Sequence, residues 1–174
     1  MPSTVEITES LIRDYINRAV TDVFKTMLGR VPTFSSPADW VAGEPPKPVG
    51  PVHRPQVVGT VGFIGEVNGL IYLHLDLDFA RLCTRNLLGM TEAELDEAGD
   101  EVINDAIGEL TNMTVGSFKN GLCDSGYPCM LTIPSILRGT NFSIEPTSSV
   151  VRHVYHFDCE EHRVVADILM KPSE

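Results

Sequence analysis

Ile103, Ile107 and Leu110 recur at a spacing that only a helix turns to one side, within residues 101–122, EVINDAIGELTNMTVGSFKNGL. At about 100° per residue these three make a core stripe, while Asp105, Glu109 and Asn112 fall within roughly 60° of arc on the opposite side. Gly108 flanks that polar stripe and Gly116 continues it one turn later. Each glycine costs a helix about 1 kcal/mol relative to alanine. What the pair offers is a face without side chains, open to close approach by another surface. The stripe has two readings: a solvated helix face, or a small acid–amide site presented to a partner.

The rest of the chain arranges itself around this helix. Residues 8–29 read as a first helix that Thr8 or Ser10 can cap, with Leu11, Tyr15, Ala19, Val23 and Met27 along one face, Ile12, Ile16 and Phe24 beside them, and Gly29 as its end. Residues 31–56 carry seven prolines (Pro32, Pro37, Pro45, Pro46, Pro48, Pro51 and Pro55). That density forbids a helix or a central strand, and predicts an extended loop with Trp40 as its anchor. Residues 57–77 alternate at period two and break at residues 65–69, which predicts a β-hairpin with an Asn-Gly turn. A short helix over 78–88 follows, with Asp78 as cap and Gly89 as stop. Thr91 and Glu94 then form a capping box that opens the acidic run into the central helix. Residues 130–136 read as a strand, and 149–157 with 164–170 as a final hairpin. The order predicts an α/β (α+β) fold, with antiparallel sheet dominant because the hairpin turns are short. It also predicts one domain over residues 1–174, with 31–56 as a loop insert.

A formal net charge of −11 leaves no basic patch to neutralise phosphates, which argues against nucleic acid and against an anionic membrane surface. The N-terminus, MPSTVEITES, has no basic and apolar leader pattern, and no apolar run approaches the ~20 residues that span a bilayer. A cytoplasmic location is the expectation. Cys83, Cys123, Cys129 and Cys159 contain no CxxC pair and read as reduced small hydrophobes, with a Cys123–Cys129 disulfide as the other option. His153, His156, Cys159 and His162 are metal-ligand types, but His153 and His156 point to opposite faces of a strand. They read as solvated hairpin residues, and no metal is expected. Asp105 and Glu109 as a glycosidase pair lack a cleft or an aromatic sugar platform. No glycine-rich phosphate loop is present.

An internal repeat bears on the number of sites. AVTDVFKTMLG (residues 19–29) aligns without a gap on AIGELTNMTVG (residues 106–116), so the chain reads as two related halves. Asp22 then stands where Glu109 stands, while Arg18 replaces Asp105 and Lys25 replaces Asn112. The first copy keeps the helix and lacks the amide, so one site per chain is expected.

Asp105-x3-Glu109-x2-Asn112, inside NDAIGELTNMTVG, resembles the active-site helix of the CheC/CheX/FliY phosphatases, which remove the phosphoryl group from phosphorylated CheY-type response regulators. That family's pattern is Asp or Ser, three residues, Glu, two residues, Asn, then a proline a little over twenty residues on. Pro134 takes the proline's place, one residue short of that spacing, and VFKTMLG looks like the end of the first helix of CheX-type members. The resemblance implies a CheC/CheX-like fold of mainly antiparallel sheet and long helices in two pseudo-repeated halves, with a single active helix as in CheX-like members. It implies hydrolysis of an aspartyl phosphate, with Asn112 orienting the attacking water and Glu109 pairing with the regulator's lysine. Asp105 would be a supporting contact or rim charge, Gly108 and Gly116 would leave room for the docked partner, and Pro134 would shape the backbone beside the helix. No cofactor would be bound by this chain, since Mg²⁺ belongs to the regulator. A homodimer is also implied, with strands near the C-terminus as the edges to pair. The alternative class is a non-catalytic receiver-binding adaptor or scaffold of a signalling or flagellar complex, which residues 31–56 could serve.

Overall fold

The computed structural model describes residues 5–38, 40–46, 49–50 and 54–171; Pro48 and Pro51 of the proline-rich stretch and residues 1–4 lie outside the described residues. Helix α1 spans Glu9–Leu28, as the apolar spacing predicts. The Thr8 side chain accepts from the Leu11 amide at 3.1 Å, and Gly29 closes the helix in the left-handed region with its N–H on the Lys25 carbonyl. Its buried stripe is Ile12, Ile16, Ala19, Val20, Val23, Phe24 and Leu28, so Leu11, Tyr15 and Met27 lie at the margins. Among the described residues of 31–55 one short strand forms, β1 (Thr33–Ser35). It lies at the sheet's outer edge, the one place where neighbouring prolines are tolerated.

Strands β2 (Gln56–Gly65) and β3 (Gly69–Asp76) make the expected hairpin. Its loop is residues 66–68 rather than an Asn-Gly turn. Gly69 already pairs with Phe63, and the Asn68 carboxamide oxygen accepts from the Gly65 amide at 3.1 Å. Strand β3 runs directly into α2 (Leu77–Leu88), so the cap is Asp76 and not Asp78. The Asp76 carboxylate accepts from the Phe79 amide at 2.7 Å, while Asp78 stands in the first turn. The Thr91–Glu94 capping box is present, but it opens a separate short helix, α3 (Glu92–Ala98). Gly99 turns the chain before α4 (Asp100–Asp124), the central helix.

The strand expected over 130–136 is two strands, β4 (Cys129–Leu131) and β5 (Ser135–Gly139). They lie end to end along the outer edge of β2, separated by residues 132–134. Pro134 has no N–H to give the ladder, so pairing lapses there. Strands β6 (Val151–Cys159) and β7 (His162–Met170) form the last hairpin, turning at Glu160 with φ 57°. All pairings are antiparallel, in the order β1-β6-β7-β3-β2 with β4 and β5 sharing the far edge. Strand β7 is therefore internal, whereas β1 covers only residues 156–158 of β6; among the described residues the edges are β1 with the uncovered residues 151–155 of β6, and β4/β5.

Exchange of β1, β2 and β3 with β4/β5, β6 and β7 leaves this order unchanged, so the two-halves pattern of the sequence is also that of the sheet. Helices α1, α2 and α4 cover one face of the sheet. Phe118 of α4 meets Phe63 of β2 at 5.8 Å between ring centroids, and Phe24 of α1 meets Phe79 of α2 at 6.5 Å. On the other face Trp40 packs with Val49, Val154 and Val165 and sets its ring 5.0 Å from that of His156, so it anchors the proline-rich stretch as expected. None of the helices among the described residues is long and apolar enough to cross a membrane.

Candidate functional site

Helix α4 lies very close to the sheet, because Gly59 of β2 has no side chain where the helix crosses. A Cβ there would sit 1.9 Å from the Thr111 hydroxyl oxygen. The buried hydroxyls of Thr111 and Thr114 donate to the carbonyls of Ile107 and Leu110 at 2.6 and 2.8 Å, so burying them leaves no donor unpaired. Ile103, Ile107, Leu110, Val115 and Phe118 fill the core beneath.

One flank of α4 is fastened to the β4/β5 edge. Arg138 of β5 donates from Nε to the Asn104 carboxamide oxygen at 2.8 Å and pairs with Asp100 at 3.3 Å. A Cβ on Gly108 would lie 3.9 Å from Pro134, and one on Gly116 would lie 3.6 Å from Leu131. Gly108 is buried and Gly116 half-buried. The broken outer strand of this same chain thus lies beside both glycines, at distances where an added Cβ would make only ordinary contact. Pro134 does stand beside the helix as expected.

Asn112 is one turn from each of these glycines, about 40° around the helix from both. It therefore lies along the seam between α4 and the gap in the outer strand, and is half-buried. Asp105 and Glu109 stand on the solvent side of the same stripe, both exposed. The structure brings all six expected residues to one seam: two carboxylates outward, one amide at the rim, two glycines and a proline forming the wall. An amide held at a rim can orient a small polar molecule, and a carboxylate one turn away can meet a cation. Arg138 and Asn104, which fasten the flank, carry no sequence signal of that role, since their meeting depends on strand placement.

The corresponding face of α1 is more exposed and has different chemistry. Arg18, Asp22 and Lys25 are exposed, in the positions of Asp105, Glu109 and Asn112. Two cations and no amide make it a different surface, so the one candidate acid–amide site is on α4.

The strongly perturbed histidines lie elsewhere. His156 is fully buried and His74 nearly so, on the face of the sheet away from α4, and burial lowers each to about 4. His153 and His162 are half-buried and Cys159 is buried, so these are packed residues of the sheet rather than solvated hairpin residues. Among the described residues, no three His, Cys, Asp or Glu side chains gather as a metal-binding group. Cys123 and Cys129 are unbridged, the Cys123 thiol lying 3.9 Å from the Cys129 carbonyl oxygen.

Comparison with known proteins points the same way. The family model of the chemotaxis phosphatase CheX matches residues 57–158. The chemotaxis protein CheX of Vibrio vulnificus superposes with a TM-score of 0.74 at 20% identity, over 95% of this chain and 100% of that one. A CheC-like superfamily protein of Shewanella sp. PV-4 gives 0.76 at 22% identity, over 93% and 98%. The CheX–CheY–BeF3–Mg²⁺ complex of Borrelia burgdorferi gives 0.65 at 20% identity, over 92% and 98%. No curated protein matches the chain.

Proposed function

The chain belongs to the CheX family of chemotaxis phosphatases, and from that premise we propose that it hydrolyses the aspartyl phosphate of a CheY-like response regulator. The observation that carries this reading is the placement of exposed Glu109 and half-buried Asn112 on one face of α4. A receiver domain holds its phosphoryl group on an aspartate, with Mg²⁺ and a lysine of its own. Hydrolysis needs a water in line with the phosphorus, opposite the leaving carboxylate. Metal and lysine already stabilise the charge, so what is missing is mainly position.

Asn112 suits that task. Its carboxamide can accept from and donate to a water without adding negative charge beside the phosphoryl oxygens. A carboxylate in its place would repel them. Glu109, one turn away and free to solvent, pairs with the receiver's lysine and sets the helix in register over the phosphoryl group. Asp105 is a supporting contact or rim charge, and Pro134 against Gly108 holds the wall of the seam. The scheme asks for no cofactor on this chain, because the Mg²⁺ comes with the regulator. The Borrelia burgdorferi CheX, crystallised with CheY, BeF3 and Mg²⁺, supports the choice of partner class. The reaction places the protein in the cytoplasm with its regulator. A homodimer formed by strand pairing would use β1 with residues 151–155 of β6, or β4/β5, as its edge.

The test loads candidate receiver domains with phosphoryl group and follows its loss with wild type, Asn112→Ala and Glu109→Ala. Wild type speeds the loss from its cognate receiver, and Asn112→Ala loses about 100-fold of that rate while still binding. Glu109→Ala loses rate and affinity together. Binding without any acceleration would replace the phosphatase with a receiver-binding adaptor, and the absence of both would remove the receiver as partner.

A further inference from the structure

The gap in the outer strand leaves Ile133 86% exposed, although its neighbours are fastened on both sides. Thr132 donates its amide to the Gly62 carbonyl at 2.9 Å and accepts from the Gly62 amide through its hydroxyl at 2.8 Å. Pro134 lies against Gly108. A β-branched apolar side chain is therefore held in solvent by rigid neighbours, and its burial in this chain contributes almost nothing. Its place along the seam is also defined. Leu131 and Pro134 lie against Gly116 and Gly108, the glycines one turn to either side of Asn112, so Ile133 occupies the stretch of outer strand alongside the amide.

Charge on this stripe works both for and against a receiver. The stripe presents Asp105 and Glu109, and the chain carries −11. The phosphoryl group of a receiver is anionic, so its repulsion from these carboxylates offsets the attraction between Glu109 and the receiver's lysine. An exposed isoleucine beside the amide supplies affinity that charge cannot.

We propose that Ile133 is an apolar anchor that seats the receiver domain alongside Asn112. The proposal rests on the receiver-phosphatase reading of the site. It is tested with receiver domains carrying BeF3 and Mg²⁺, by measuring Kd, and with the same phosphorylated domains, by separating kcat from KM. Ile133→Ser raises Kd and KM about 10- to 30-fold, the loss expected from leaving one large aliphatic side chain uncovered, and leaves kcat within about twofold. Ile133→Val keeps most of the affinity. Met130→Ser is the control: Met130 is 76% exposed, but it alternates with Leu131, which faces α4, and so points to the other side of the sheet. It leaves Kd and KM unchanged. Wild-type Kd and KM in Ile133→Ser, with kcat still lost in Asn112→Ala, would overturn the anchor and leave the phosphatase standing. Wild type that neither binds nor dephosphorylates any receiver would overturn both.

Discussion

Gly59 and Gly108 both lie where α4 meets the sheet and its edge, yet an added methyl group meets different surroundings at each. At Gly59 it would stand 1.9 Å from the Thr111 hydroxyl oxygen and 2.9 Å from the Thr111 Cβ, so helix or strand must shift. Gly59→Ala is expected to cost about 1–3 kcal/mol, as overpacking does, and to lower phosphatase activity by moving α4. At Gly108 the nearest atom is Pro134 Cβ at 3.9 Å, an ordinary contact. Gly108→Ala is therefore expected to gain up to about 1 kcal/mol of helix stability. Urea unfolding of the two variants checks both signs, and an equal response would show that α4 does not approach β2 more closely than it approaches the outer strand. The sequence marks Gly108 as a place without a side chain. It does not show that Pro134 of the same chain fills the space beside it.

At the scale of elements, Gly99 divides an acidic run that reads locally as one helical approach. Its φ of 84° with ψ −175° belongs to a region that glycine alone adopts at low cost, and it separates α3 from α4. Gly99→Ala is expected to destabilise the protein by about 1–3 kcal/mol, read from the urea midpoint. It should also disturb the start of α4, where Asp100 pairs with Arg138. An unchanged midpoint would mean that the α3–α4 corner relaxes freely. The Thr91–Glu94 capping box was legible because both halves of the motif are local. The choice of Asp76 over Asp78 was not, because it depends on how far β3 stays paired with β2, and that pairing reaches Asp76 opposite Gln56.

The whole molecule has two unlike sheet faces, and the one away from α4 buries charge. Arg152 donates twice to Asp167, at 2.9 and 2.8 Å, and His74 stands 3.9 Å from the same carboxylate. His156 is fully buried, with neither ring nitrogen hydrogen-bonded among the described residues. Burial lowers both histidines to about 4, with the Arg152 charge adding to the effect on His74 and the Arg163 charge to that on His156. In the unfolded chain each takes a proton near 6.5. Between these values the unfolded state binds more protons, so stability is fully present above pH 6.5 and is lost as pH falls toward 4. The loss amounts to roughly a few kcal/mol for each histidine, because each tenfold difference in proton affinity between the folded and unfolded states is worth about 1.4 kcal/mol. Asp167, raised by burial against the opposing pull of Arg152, acts in the opposite sense, so the histidine contribution is isolated by substitution. Unfolding free energies at pH 7 and pH 5 should differ strongly in wild type and less in His156→Phe. An identical pH dependence in the two would place the acid sensitivity elsewhere.

Features under short-range control could be read along the chain. Apolar spacing set α1 and α4, Thr8 or Ser10 was the cap expected for α1, the Thr91–Glu94 box marked a helix start, period-two alternation set the β2–β3 hairpin, and Asp105, Glu109 and Asn112 fell on one face of a helix. Each of these follows from residues within a turn or two of one another. The repeat in residues 19–29 and 106–116 even anticipated the symmetric order of the sheet. What lies beside the stripe came from long-range packing. The gap at residues 132–134, the seating of Pro134 on Gly108, the approach of Gly59 to Thr111 and the burial of His156 under Trp40 join residues far apart in the chain. No local pattern encodes such meetings, because they depend on which strands pair and how closely the helix can approach them.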